Sequence, residues 1–353
     1  MKALVLGDCH FTNAYPSFDY LGKQLSTIES LILEQEDVAY VIFLGDVFHF
    51  RKPDPETIVR VQKFFRDITR FPVKKVFIVR GNHDTASKSD DSLLTILEVL
   101  EDNKVTIVKD TLLESVGNCA FGFVAHFEKD EEILVRLAGL HDKLALCEEN
   151  DKFIFGHFGY TGCLNTNGDE DFGLSLNVFK HPTFLGHIHK PADEGNVHVV
   201  GTPYSTSFQE ADNYHRYAII DTISGEVEFK RMDSGIRYLS FEYAALEANK
   251  EFIRDRRYST ILRVYLSQIT DINSVDLRKN IMEEYEVEYV DIKYLPLIDN
   301  ESHFSSFRPK NLVFELDDEL INNYVDECKS LLPKDIILQA LKLFKQMEDS
   351  ETE

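Results

Sequence analysis

"KKVFIVRGNHD", residues 74–84, is a short apolar run that stops at a glycine and then presents an amide, an imidazole and a carboxylate in succession. Val76, Phe77, Ile78 and Val79 are β-branched or aromatic, with no polar residue alternating between them. That pattern predicts a strand buried on both faces, as in a sheet covered by other layers. Asn82, His83 and Asp84 would then stand just past the carboxyl end of that strand, where open α/β sheets gather their ligand-binding groups.

The same shape recurs. "ALVLG" (3–7) runs into Asp8 and His10, and "AYVIFLGD" (39–46) ends on Asp46. "DKFIFGHFG" (151–159) carries His157, and "PTFLGHIHK" (182–190) carries His187 and His189. Between the first three lie helical patterns: 19–36, with Leu21, Leu25, Ile28, Leu31 and Ile32 in step, and 54–70, with Ile58, Val61, Phe64, Phe65 and Ile68. A further segment, 89–101, keeps Leu93, Leu94, Leu97 and Leu100 at helical spacing. Strands alternating with helices of this length predict a layered α/β domain. "NVHVVGTPYS" (196–205) and "YHRYAIIDTISGEVEFKRM" (214–232) read as later strands, the second a hairpin turning at Ser224-Gly225.

The character changes near residue 240. "YSTILRVYLSQI" (258–269), "VDLRKNIMEEYE" (275–286) and "VEYVDIKYLP" (287–296) read as a small strand–helix–strand module. A polar stretch, 298–310, resembles a linker and is followed by two helical patterns, 317–330 and 333–347. In the second, Ile336, Ile337, Ala340, Leu341 and Phe344 form an apolar stripe that requires a partner surface. The expected division is a main α/β domain over 1–240, a small α/β domain over 241–300, and a linker with C-terminal helices over 301–353.

Composition narrows the classes. No apolar run is long enough for a membrane-spanning helix, and "MKALVLGDCH" lacks the apolar region of a signal peptide, so the cytoplasm is the expected location. Five cysteines, scattered and without a CxxC pair, argue against a disulfide framework or a structural zinc knot. The formal charge of −23 makes this an unlikely general coat for nucleic acid, which basic proteins bind through phosphate contacts.

Asp8, His10, Asp46, Asn82, His157, His187 and His189 together offer carboxylate, amide and imidazole donors. That mixture suits Mn²⁺, Fe²⁺ or Zn²⁺ better than Ca²⁺. Seven donors exceed the needs of one ion but suit two ions sharing a carboxylate, an arrangement that clamps the oxygens of phosphate esters during in-line displacement. His83 would face the substrate as an acid, with Asp84 orienting its other nitrogen. A single Gly-Asn-His-Asp is equally a turn with an Asx cap, and a lone Gly-His is commonly structural; five such strand ends in order favour the metal reading.

"GDCH", "GDVFH", "GNHD", Gly156-His157 and "GHIH", in that order, resemble the signature of the calcineurin-like metallophosphoesterases. The resemblance implies a layered metallophosphoesterase sandwich. It implies one metal on Asp8, His10 and His189, a second on Asn82, His157 and His187, and Asp46 between them. "RKPDPET" (51–57) and "VHVVGTPYSTSFQEAD" (197–212) are similar to the DNA-repair nuclease branch, the SbcD-like proteins, and within it to the phage-type recombination nuclease subunits. That likeness implies a DNA exonuclease and endonuclease using a hydroxide activated by two Mn²⁺, with Fe²⁺, Zn²⁺ or Mg²⁺ as other candidates. It also implies a DNA-capping domain, C-terminal helices that bind an SbcC-like SMC-type ATPase, and a homodimer. The competing expectations are a phosphomonoesterase or small-molecule phosphodiesterase on the same site, and a non-catalytic subunit that binds DNA ends. His49, Arg51, Lys52 and Lys190 are expected near the site, His126 beside the cleft, and Cys9 in the core.

Overall fold

A computed structural model of the chain describes residues 1–15, 18–85, 95–165, 168–170, 173–266 and 274–294. The chain divides into two units, 1–297 and 298–353. The expected linker at 298–310 and the helices at 317–330 and 333–347 lie outside the described residues, as do residues 89–94 of the segment 89–101, of which Ile96–Leu100 is a 3-10 turn.

The first sheet contains β1 (Lys2–Leu6), β2 (Val38–Phe43), β3 (Lys75–Val79) and β4 (Val105–Val108) in parallel. The antiparallel pair β11 (His215–Asp221) and β12 (Val227–Met232) joins its β1 edge. The second sheet runs in the order β5 (Thr111–Val116), β6 (Cys119–Val124), β7 (Asp151–His157), β8 (Thr183–Gly186), β10 (Val197–Val199) and β9 (Ala192–Glu194). Helices α1 (Tyr20–Glu34) and α2 (Pro55–Ile68) connect the first three strands, and α3 (Asp130–Ala145) connects β6 to β7.

Period two along each strand builds the layers. Leu4 and Leu6 of β1, with Val76 and Ile78 of β3, point into a core shared with Leu21, Ile28, Val61 and Phe65 of the two helices. Ala3, Val5, Phe77 and Val79 point the other way, into a core shared with Phe121, Phe123, Phe155 and Phe184 of the second sheet. The far side of the second sheet, through Ala120, Ile154 and Leu185, meets Ile133, Leu137, Leu140 and Leu144 of α3. The result is a helix–sheet–sheet–helix sandwich, which is why the strands read as unbroken apolar runs. The inter-sheet core is aromatic: Phe77 stacks on Phe123 at 4.8 Å and Phe123 on Phe155 at 5.1 Å. Each such ring contributes about 1.5–3 kcal/mol by burial.

The helices start where local chemistry allows. Asp54 caps α2 by accepting from the Thr57 backbone N–H at 3.0 Å, and Pro55 occupies the first turn. Asp19 caps α1 and also receives both arms of Arg60 from α2, at 2.7 and 3.0 Å.

A third sheet, all parallel, comprises β13 (Ile236–Glu242), β14 (Ser259–Leu266) and β15 (Tyr289–Tyr294), with α4 (Lys250–Ile253) and α5 (Ser274–Tyr285). It begins at Ile236, inside the span expected for the main domain. Leu262, Val264 and Leu266 bury one face against Leu277, Ile281 and Tyr285 of α5. On the other face, Ile236, Tyr238 and Ile261 belong to the same core as Leu21 and Tyr20 of the main sandwich. The small cap therefore shares a core with the body to which it is attached.

Candidate metal centre

All seven expected ligands converge on one sandwich edge. Asp8 and His10 follow β1, Asp46 follows β2 and Asn82 follows β3, so three neighbouring strands of the first sheet supply four donors. His157 ends β7, while His187 and His189 follow β8, its neighbour in the second sheet. Donor atoms of Asp8, His10 and His189 lie within 4.8 Å of one another, as do those of Asp8, Asp46 and His157. A third group joins His10, Asp46 and His83.

The backbone is bent to bring them there. His10, Asp46 and His187 have φ of 45°, 46° and 80°, a left-handed conformation that residues with a Cβ seldom adopt. The preceding glycines make room. A Cβ on Gly81 would lie 2.2 Å from Asp46 Oδ1, and one on Gly186 would lie 2.6 Å from the Leu44 carbonyl and 2.9 Å from His157 Nδ1. Glycine accordingly precedes Asp8, Asp46, Asn82, His157 and His187.

The donor set fits two cations. His157 Nδ1 donates to the Leu44 carbonyl at 2.7 Å, which turns Nε2 toward Asn82 Oδ1, 2.8 Å away. The same Asn82 oxygen is 3.0 Å from His187 Nδ1. His189 Nδ1 donates to Glu210 Oε1 at 2.6 Å, turning its Nε2 toward His10 Nε2 at 3.0 Å. Asp8 accepts from the His187 backbone N–H at 2.9 Å through Oδ1, whereas its buried Oδ2 has no hydrogen-bond partner among the described residues. Lone pairs facing lone pairs in a buried pocket call for positive charge between them.

The ionisation pattern agrees. Burial pushes the Asp8 carboxyl up, partly opposed by His157. Burial also opposes ionisation of Asp46, but His157, and then His10, hold it well below the ordinary carboxylate range. Burial lowers His157, yet the Asp46 and Asp8 carboxylates outweigh it and lift it to about 9. Burial and then His157 bring His187 down to about 4, and burial with His189 holds His10 well below its usual value. One proton on His157 supplies the charge that cations would otherwise supply.

Asp84 does not orient His83. Its buried carboxylate accepts from the backbone N–H groups of Gly81 (2.9 Å) and Val47 (3.2 Å), tying the two ligand-bearing loops together. Burial, then the Asp46 charge, raises it to about 7. His83 Nδ1 instead donates to the His49 carbonyl at 2.6 Å, and its backbone N–H donates to Asp46 Oδ1 at 2.7 Å. The His83 ring stands edge-on to His10 at 5.0 Å.

Around this centre, the His49 ring lies 5.4 Å from His10, and Phe50 beside it is exposed. Arg51 reaches Thr85 and Glu128 (3.7 Å), so part of its charge is already answered. His126 lies behind the ligands: its Nδ1 is 3.2 Å from the His157 carbonyl, its ring 6.0 Å from His187, and burial lowers it to about 3. Cys9 points into the core. Glu210, the partner of His189, received no role from sequence; its signal is its place downstream of "GTPYSTSF" (201–208).

The family model for calcineurin-like phosphoesterases matches residues 1–191. No curated protein matches the chain. A solved dimetal phosphatase from Danio rerio is 15% identical, with 66% of this chain and 96% of that chain covered and a TM-score of 0.45. The nuclease MPE of Pseudomonas putida is 18% identical, with 65% and 87% covered and a TM-score of 0.29.

Proposed function

The chain belongs to the calcineurin-like phosphoesterase family, and from that premise we propose that it is a metal-dependent DNA exonuclease and endonuclease of the SbcD-like repair and recombination branch. The observation that carries the reading is a groove between body and cap, whose Thr206 hydrogen-bonds Glu210, the partner of His189. It measures about 400 Å³ and is lined by Tyr15, Thr206, Phe208, Arg263, Tyr289 and Asp291, so that body and cap form its two walls. A phosphodiester inside a polymer needs room for chain on both sides of the reacting phosphate, and aromatic walls suit stacked bases.

Asp8, His10 and His189 would hold one ion, Asn82, His157 and His187 the other, with Asp46 between them and Mn²⁺ the preferred metal. When bound, the pair polarises phosphate oxygens and acidifies water. The chain's own residues do the rest. His83 donates from Nδ1 to the fixed His49 carbonyl, so Nε2 is the nitrogen presented to substrate. In its doubly protonated form that nitrogen delivers a proton to the departing 3′-oxygen. Asp84 holds the loops carrying Asp46 and Asn82 at fixed separation.

The apolar stripe at 336–344 supports docking of the C-terminal segment on an SbcC-like SMC-type ATPase, which would supply the DNA affinity that a charge of −23 withholds. A homodimer completes the proposed assembly.

The test is Mn²⁺-dependent hydrolysis of linear duplex and single-stranded DNA by the full chain, with His83→Ala alongside. Cleavage by wild type, lost in the variant at unchanged metal content, is the expected result. Turnover of an aryl phosphate monoester without any DNA cleavage would refute the nuclease reading in favour of a phosphatase.

A further inference from the structure

Glu210 closes a connection between the cap and the candidate ligand His189. Its carboxylate is buried and accepts from His189 Nδ1 at 2.6 Å. It is itself held by Thr206, whose backbone N–H donates at 2.7 Å and whose hydroxyl donates at 2.8 Å. The short turn carrying it, Phe208–Glu210, is gripped from the cap. Phe208 stands edge-on to Tyr238 of β13 at 5.0 Å and lies under the Arg263 guanidinium of β14 at 3.9 Å.

The Tyr238 hydroxyl has three oxygen neighbours: Tyr15 Oη and Tyr20 Oη, both at 3.1 Å, and the Thr206 carbonyl at 3.3 Å. Tyr20 Oη also lies 3.3 Å from the Ser205 carbonyl. Each phenol has one proton to give. The arrangement that uses each proton once and satisfies both carbonyls has Tyr15 donating to Tyr238, Tyr238 to Thr206, and Tyr20 to Ser205.

We propose that Glu210 is a positioning residue for His189 and that Tyr238, through Thr206, sets where Glu210 stands, so that seating of the cap tunes the affinity of the ion held by Asp8, His10 and His189. The inference rests on the metal reading above. A ligating imidazole whose distal N–H is anchored on a carboxylate keeps one tautomer and one ring orientation, and loss of such an anchor costs about 10–100-fold in affinity. His157, a ligand of the other ion, is anchored elsewhere, on the Leu44 carbonyl at 2.7 Å. The effect is therefore confined to one of two ions.

Calorimetric titration of the metal-stripped full chain with Mn²⁺, and visible spectra with Co²⁺, test it. Glu210→Gln keeps the shape and removes the charge. It should weaken one of two binding events about 10–100-fold and shift the Co²⁺ bands of that site, with the other event unmoved. His187→Ala identifies the other event. Tyr238→Phe should weaken the same event by less, and the double variant should be no weaker than Glu210→Gln alone, because both act on one contact. Should Glu210→Gln not fold, Glu210→Asp and Tyr238→Phe carry the same comparison.

Unchanged titrations, or both events weakened alike, would overturn the positioning role, since a merely structural acid would not favour one ion. Additive losses in the double variant would overturn the route from the cap. A wild type that binds no pair of ions would instead remove the metal reading beneath, a result distinct from either.

Discussion

Gly186→Ala should crowd the metal centre directly. Gly186 has no positive φ, so backbone strain does not enter; the cost is space alone. The new Cβ would sit 2.6 Å from the Leu44 carbonyl, 2.9 Å from His157 Nδ1 and 3.0 Å from Asp8 Oδ2. It would press on the 2.7 Å hydrogen bond between the first two. Overpacking a rigid site costs about 1–3 kcal/mol, and a lost buried hydrogen bond adds about 1 kcal/mol. Together they give about 2–4 kcal/mol. Gly139→Ala is the matched control: it lies in α3 with open space around its Cβ position, and helix propensity there favours Ala by about 0.8–1.0 kcal/mol. Denaturant unfolding of the metal-stripped full chain should move the two midpoints in opposite directions. Manganese titration should show weakened binding in Gly186→Ala and none of that loss in Gly139→Ala. A Gly186→Ala protein that unfolds at the wild-type midpoint and binds metal normally would refute the crowding argument.

Asp84→Ala leaves the Gly81 and Val47 N–H groups without their acceptor and should cost about 2–4 kcal/mol in unfolding experiments, with hydrolysis lost as the loops separate. Removing metal with a chelator should lower the melting temperature, because each ion at 100 times its Kd adds about 2.7 kcal/mol; identical melting curves with and without chelator would oppose a bound metal. His141 and His181, whose rings lie 5.4 Å apart and away from the metal centre, are both pushed below the usual histidine value, chiefly by burial. Fold stability is therefore present above about pH 6.5, the ordinary histidine value, and is lost as pH falls below it. His141→Gln should flatten that slope in urea midpoints measured from pH 7 to 5.

The sandwich edge was legible because it is written in short-range grammar: an apolar run, a glycine, then a donor. Residues 102–150 were not read as elements, apart from a strand ahead of His126. The structure shows why they should have been: Ile133, Leu137, Leu140 and Leu144 keep a helical stripe, and β5 and β6 turn at Gly117, with φ of 64°. The start of the cap does carry a local signal: Asp233-Ser234-Gly235, with φ of 62° at Gly235, separates Met232 of β12 from Ile236 of β13. The Asp84 contact, by contrast, was illegible. Adjacent residues suggested a His83–Asp84 pair, but the turn at 81–84 directs the carboxylate back to Gly81 and across to Val47, and only the assembled loops provide those donors. The link from Glu210 to His189 spans 21 positions and depends on the cap being seated. The stretch 201–208 marks Glu210 itself but says nothing of its partner.

Each proposed ion draws its ligands from both sheets: Asp8 and His10 with His189, and Asn82 with His157 and His187. A folding chain that has formed only the first sheet offers one part of each set, and one that has formed only the second offers the rest. Neither part can recruit an ion at full strength, so the metals arrive after the sheets have closed on each other. Interactions absent from the folding transition state slow unfolding and leave the folding rate nearly unchanged. Metal supply then governs how long the folded protein lasts, while the speed at which it forms is left to the aromatic core between the sheets.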